Sequence, residues 1–349
     1  MRSTIGWAAD TENRFQRTTL QRRDLRDDDL AVQVDFCGVC HTDLHALNSR
    51  TSGDPLLVPG HEFTGVVTAV GDAVSGFAVG DPVAVGNIVD SCGVCDMCRR
   101  GQENFCDEFP TLTYGGSDRR DGSTTLGGFS REYLVREQFV YALPPGLDAA
   151  AAAPLMCAGI TVWEPLRALG VGPQTSVAVA GLGGLGHLAV KFLAALGADT
   201  TVIGRSPGKA DDAFRLGATA YLDSTDDKAL AAARQRFDVI IDTIPVAHDL
   251  SPYLALTGID GTLCQVGFLG PIMLDTMDLL IGRKRLTSGG SGGRPATAEM
   301  LEFSAHHGIS ADVEVLPSAQ VNEALDRLAR NDVRYRFVLD MSDLDTPAP

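Results

Sequence analysis

No stretch of this 349-residue chain approaches the ~20 continuous apolar residues that a membrane span requires. The N-terminal MRSTIGWAADTENR has no basic region leading into an apolar core, so a secretory leader is not expected. Basic residues are also scarce: 29 Lys and Arg against 45 Asp and Glu leave a formal charge of −16. An acidic surface repels phosphate backbones and anionic headgroups, which argues against nucleic acid and membrane as partners. There is no internal repeat and no low-complexity segment beyond SGGSGG at 288–293. A cytoplasmic protein is the expectation. In a reducing compartment disulfides do not persist, so the spacing of the four cysteines, of eight in all, that crowd into 92–106 reads as metal ligation.

What is present divides into two textures. Up to about residue 142 the apolar residues fall in short runs (LAVQVDF, FTGVVTAVG, GDPVAVGNIV, FSREYLVRE) broken by Gly, Pro and Asp, the pattern of a β-rich domain with irregular loops. After the rigid LPPG at 143–146, strand candidates SVAVA, TTVIG, FDVIIDTI and GTLCQVGF alternate with helix-length pieces such as HLAVKFLAALGA and PGKADDAFRLGA. That rhythm predicts βαβ units and a doubly wound parallel sheet. Residues beyond about 293 carry helix and strand signals without the rhythm and are assigned back to the first domain. The expected division is 1–147 with 294–349, and 148–293.

Three motifs carry chemistry. Cys92, Cys95, Cys98 and Cys106 lie on one loop at a spacing that wraps a single ion with every position filled, a structural zinc; an iron–sulfur cluster is the competing reading of the same spacing. Cys40 in GVCHTD and His61 in VPGHE, completed by Cys157 in APLMCAG, form a Cys2His set, which leaves a zinc ion one open position for substrate. Gly181, Gly183, Gly184, Leu185 and Gly186 sit in a GxGxxG turn between a strand and a helix, where backbone and helix N-terminus accept a pyrophosphate. At the end of the next strand an NAD site would carry an acid; this chain offers Arg205, Ser206 and Lys209, which suit a 2′-phosphate and point to NADP.

GVCHTD, PGHE, the four-cysteine loop, APLMCAGITVW and GLGGLGHLAVK together resemble the zinc-dependent medium-chain alcohol dehydrogenases, most closely the cinnamyl alcohol dehydrogenase-like branch, over nearly the whole chain. The resemblance implies a GroES-like catalytic domain discontinuous around a Rossmann domain, and two zinc ions per chain. It implies that Asp43 orients His61, that Glu62 is a carboxylate near the metal, that Thr42 hydrogen-bonds the substrate oxygen and that His45 passes the proton to solvent. It also implies cofactor contacts from His41, Thr243, Val266 and Ser288. The segment ending at Ser288 lies, in this family, at a sheet edge that pairs across a dimer, so a homodimer is expected.

Departures concern the pocket. Residues 47–55 read LNSRTSGDP where relatives commonly have a tryptophan and a Gly-Gly turn; Asn87 and Phe63 also differ from the usual residues. The leading expectation is an NADP(H)-dependent alcohol dehydrogenase or aldehyde reductase for aromatic or medium-chain substrates. The alternatives are a reductase of iminium ions or activated alkenes, and a non-catalytic zinc- and NADP-binding protein. Cys37 and Cys264 are expected to be small buried hydrophobes.

Overall fold

The computed structural model describes residues 1–51, 53–267 and 269–346. Ser52 of the pocket loop, Phe268 of the strand candidate GTLCQVGF and residues 347–349 of the tail lie outside the described residues. The chain forms two compact units, 1–157 with 292–349, and 158–291. The first division falls at 157/158 rather than at 147/148, because the helix Ala149–Ala152 and the turn Ala153–Met156 pack against strands of the first unit. Among the described residues no single helix is long and apolar enough to cross a membrane.

The first unit is built on a seven-stranded sheet whose centre is the strand Asp29–Val39. Phe63–Val70 runs antiparallel along one side of it; on the other side Glu132–Arg136 pairs with its first half and Arg336–Asp340 with its last. Flanked on both sides, Asp29–Val39 reads DLAVQVDFCGV, and most of its residues are buried. The sheet continues outward through Pro82–Val85 to Val140–Ala142 on one flank, and through Val313–Pro317 on the other. Val32, Val34, Phe63, Phe129 and Phe337 fill its core. Cys37 is fully buried among them, as a small hydrophobe.

The second unit is a six-stranded parallel sheet with the spatial order Ala220–Asp223, Asp199–Gly204, Ser176–Ala180, Phe237–Asp242, Thr257–Gln265, Arg285–Ser288. In chain order that is 3-2-1-4-5-6, the doubly wound arrangement that takes ligands at the carboxyl ends of its strands. The apolar strands SVAVA and FDVIID are almost wholly buried, the pattern of central parallel strands covered on both faces. The outermost strand, RLTS, has one edge without a partner strand among the described residues and is largely exposed. Cys264 lies fully buried on the fifth strand.

Candidate active site

The helix His41–Asn48 sorts its residues by turn. Asp43 and Leu47, four apart, face inward and are buried; Thr42 and His45, three apart, face outward and are exposed. Cys40 ends the strand side of this junction. His61 follows Gly60, whose φ of 93° no β-carbon would favour, and precedes the strand Phe63–Val70. Cys157 follows the buried turn Ala153–Met156.

These three segments bring the ligand atoms of Cys40, His61 and Cys157 within 4.8 Å of one another, all buried. Cys40 Sγ lies 3.9 Å from Cys157 Sγ, and His61 Nε2 lies 3.2 Å from Cys157 Sγ. Tetrahedral zinc holds sulfur at about 2.3 Å and nitrogen at about 2.0 Å, which sets ligand separations of roughly 3.6–3.8 Å, so the donor set fits one zinc ion with a fourth position free. Asp43 organises the set. Its carboxylate accepts from Cys40 N at 2.9 Å, Gly60 N at 3.2 Å and His61 Nδ1 at 3.1 Å. A ring nitrogen held this way turns Nε2 towards the sulfurs.

The charges explain the ionisation. Hydrogen bonding from Cys157 holds the Cys40 thiol well below its ordinary range, against burial and with help from Arg336 and His61. The same bond, with burial, pushes Cys157 up. Burial opposes a charge on His61, and Asp43 overrides it, raising its pKa. Glu62, fully buried, is pushed up to about 8 by burial, and the Arg336 guanidinium that donates to it works in the opposite sense. Gly38 makes room for that carboxylate: a β-carbon there would lie 2.3 Å from Glu62 Oε1. The sequence reading missed Arg336, whose one signal was a lone cation opening the apolar run FVLD. It also missed Tyr114, whose ring packs 5.7 Å from the His61 ring. Burial, with Asp43 and Cys40 nearby, keeps that phenol protonated.

Thr42 Oγ1 lies 3.6 Å from Cys40 Sγ, on the outer side of the triad. His45 is exposed on the same helical face, and His41 is partly buried, with its pKa lowered chiefly by burial.

Cys92, Cys95, Cys98 and Cys106 also hold their sulfurs within 4.8 Å of one another. Backbone N–H groups point at those sulfurs: Cys95 N to Cys92 Sγ and Cys98 N to Cys95 Sγ, each 3.4 Å, and Cys92 N to Cys106 Sγ at 3.5 Å. Backbone donors from Asp107 and Cys98 bring Cys95 down to about 6. Four thiols this close enclose one ion, whereas a cluster puts iron and sulfide between them and needs wider spacing. Buried Glu103 anchors the loop, accepting from Arg294 N at 2.9 Å and Arg294 Nε at 2.6 Å.

In the second unit the glycine turn follows the strand Ser176–Ala180 and opens the helix Gly186–Ala195. A β-carbon on Gly186 would meet Gly181 O at 2.1 Å, so the third glycine of the motif is required for helix and strand to approach. Thr243 Oγ1 donates to Ala180 O at 2.9 Å and to Gly181 O at 3.1 Å, fastening the turn to the fourth strand. Thr243, Val266 and Ser288 stand at the carboxyl ends of three neighbouring strands, Val266 buried and Ser288 exposed. Arg205 and Ser206 are exposed beyond the second strand, and Lys209 Nζ donates to Leu182 O at 2.8 Å.

A family model for the alcohol dehydrogenase GroES-like domain matches residues 26–145, and one for zinc-binding dehydrogenases matches 184–306. The chain is 44% identical over 335 residues to a probable formaldehyde dehydrogenase of Bacillus subtilis, covering 95% of each chain. It is 43% identical over 331 residues to NADP-dependent alcohol dehydrogenase C of Mycobacterium bovis, covering 94% of this chain and 95% of the relative. The solved structure of a cinnamyl alcohol dehydrogenase from Sorghum bicolor superposes with a TM-score of 0.93 at 43% identity, over 97% of this chain and 98% of that one. The chain belongs to the zinc-binding alcohol dehydrogenase family, and it is an oxidoreductase of that class.

Proposed function

We propose that this protein interconverts alcohols and aldehydes, aromatic or of medium chain length, by hydride transfer with NADP(H). The convergence of Cys40, His61 and Cys157 on one buried point carries the reading. Zinc held there supplies a Lewis acid that polarises the carbonyl oxygen. Asp43 fixes the His61 ring, and Arg336 balances Glu62 behind the set. In the reducing direction Thr42 donates its proton to the substrate oxygen and is resupplied from water through His45, on the outward face of the same helix; in alcohol oxidation the proton leaves by the same route to water. The glycine turn takes the pyrophosphate, while Arg205, Ser206 and Lys209 take the 2′-phosphate, with Thr243, Val266 and Ser288 lining the strand ends. The name of the mycobacterial relative, NADP-dependent, supports the same cofactor. Cys92, Cys95, Cys98 and Cys106 hold a second, structural zinc.

Two copies pair in this proposal through the strand Arg285–Ser288. Its edge is largely exposed, and the segment before it exposes Met273, Met277, Leu280 and Ile281. A cytoplasmic setting suits the free thiols. The test is a spectrophotometric screen with NADPH and NADH in parallel against a panel of aldehydes. NADPH-dependent turnover that falls at least about 100-fold in Thr42→Ala is expected. A preference for NADH overturns the cofactor reading, and an undiminished Thr42→Ala overturns the relay.

A further inference from the structure

The strand end that selects the dinucleotide is shaped by a residue from the neighbouring strand. Asp199–Gly204 and Ala220–Asp223 run parallel, with Val202 beside Tyr221 and Gly204 beside Asp223. The Tyr221 ring lies across the end of the second strand, and its hydroxyl donates to Ser206 O at 2.8 Å. A β-carbon on Gly204 would meet Tyr221 Oη at 2.4 Å and Cζ at 3.2 Å. Ser224 N donates to Gly204 O at 3.0 Å, so the backbone at this point is tied to the third strand as well.

Position 204 closes the second strand of the doubly wound sheet, where an NAD-directed site carries the acid that binds the ribose hydroxyls. Any side chain there forces the Tyr221 ring to turn away, and turning it breaks the bond to Ser206. We propose that Tyr221 is a specificity-determining residue: its phenol bars an acidic side chain from position 204 and holds the backbone of the loop that carries Arg205, Ser206 and Lys209. The inference rests on the NADP(H) reading above and adds to it the residue that enforces the choice. Tyr221 acts in two ways. It keeps out the carboxylate that would repel a 2′-phosphate, and it fixes the loop that presents the cations. A phenol is protonated at neutral pH and therefore a donor, and burial raises its pKa further.

The test titrates the zinc-loaded enzyme with NADPH and with NADH, read by nicotinamide fluorescence, with thermal unfolding as the fold control. Tyr221→Phe keeps the ring and removes only the donor, and its preference for NADPH over NADH is expected to fall about fivefold. Gly204→Asp alone is expected to weaken NADPH without a matching gain for NADH. Gly204→Asp with Tyr221→Ala, which clears the space, is expected to bind NADH about tenfold more tightly than the single variant. The inference is overturned if Gly204→Asp alone binds NADH as tightly as the double variant, or if Tyr221→Phe keeps the wild-type preference. A wild-type enzyme that itself prefers NADH overturns the cofactor reading instead.

Discussion

Arg336 donates to the carboxylate of Glu62 where both side chains are shut off from solvent, 3% exposed in the one and not at all in the other. Removing one member of a buried ion pair strands the other charge, at a cost of about 3–5 kcal/mol. Arg336→Met is therefore expected to lower unfolding stability in urea by up to that amount, because Glu62, left facing Cys40 and Asp43, must either stay charged without its partner or take up a proton. Glu62→Gln combined with Arg336→Met is expected to cost less than the two single changes together, by at least about 1 kcal/mol. Additive losses in that cycle mean the two side chains are not energetically coupled.

The two cysteine sets are expected to separate activity from stability. Metal analysis of the wild type should return two zinc ions per chain. Cys157→Ser should keep one ion and a nearly wild-type melting temperature, and lose activity by about 1000-fold or more, since the polarising ion is gone. Cys98→Ser should also keep one ion, but its melting temperature should fall, because the ion that ties the four cysteines of the loop at 92–106 together is lost. A Cys98→Ser protein with unchanged melting and two ions contradicts the structural assignment.

Asp118 predicts how the first unit meets acid. Burial works to raise its pKa, but hydrogen bonds from Arg26 and from the backbone of Arg120 and Asp121 bring it down to about 2. An unfolded aspartate titrates near 3.9. A carboxyl with a depressed folded-state pKa contributes stability above its unfolded pKa, and that contribution disappears as pH falls through the folded value. Asp118→Asn should accordingly cost about 1–2 kcal/mol at pH 7, with the difference from wild type closing between roughly pH 4 and 2. Denaturant melts across that range check it, and a gap as large at pH 2 as at pH 7 contradicts it.

Residues that work through local pattern could be read from the sequence. The cysteine spacing at 92–106, the strand, glycine turn and helix at 176–195, and the Val-rich strands of both sheets all follow from neighbours in the chain. Cys40, His61 and Cys157 were readable because each sits in its own short motif. Arg336 was not, because it meets Glu62 from 274 residues away and sequence order says nothing of that pairing. Tyr221 escaped for a different reason. Its strand, AYLD, has four residues, all half-buried at a sheet edge, too short for any period to show. The first unit's boundary moved because the alanine-rich segment at 149–156 has a composition that suits either unit, and only packing assigns it.

Asp43 offers the sharpest test of how the metal set is held. Its two oxygens accept from three N–H groups, those of Cys40, Gly60 and His61, and two of these belong to ligand residues. Asp43→Asn keeps the shape but replaces one accepting oxygen with a donor, so at least one of the three N–H groups faces another N–H. Either the Cys40 backbone or the His61 ring must then shift, and His61 also loses the charge that raises its basicity. Losses of this kind weaken metal retention by about 10–100-fold. The measurement is competition with a chromophoric chelator, following zinc release from Asp43→Asn and wild type. The faster-released ion should be the one whose loss abolishes turnover, with the ion at 92–106 retained equally in both proteins. Equal release of both ions from both proteins would mean that the cysteines alone set the affinity and that Asp43 serves only the fold of the helix His41–Asn48.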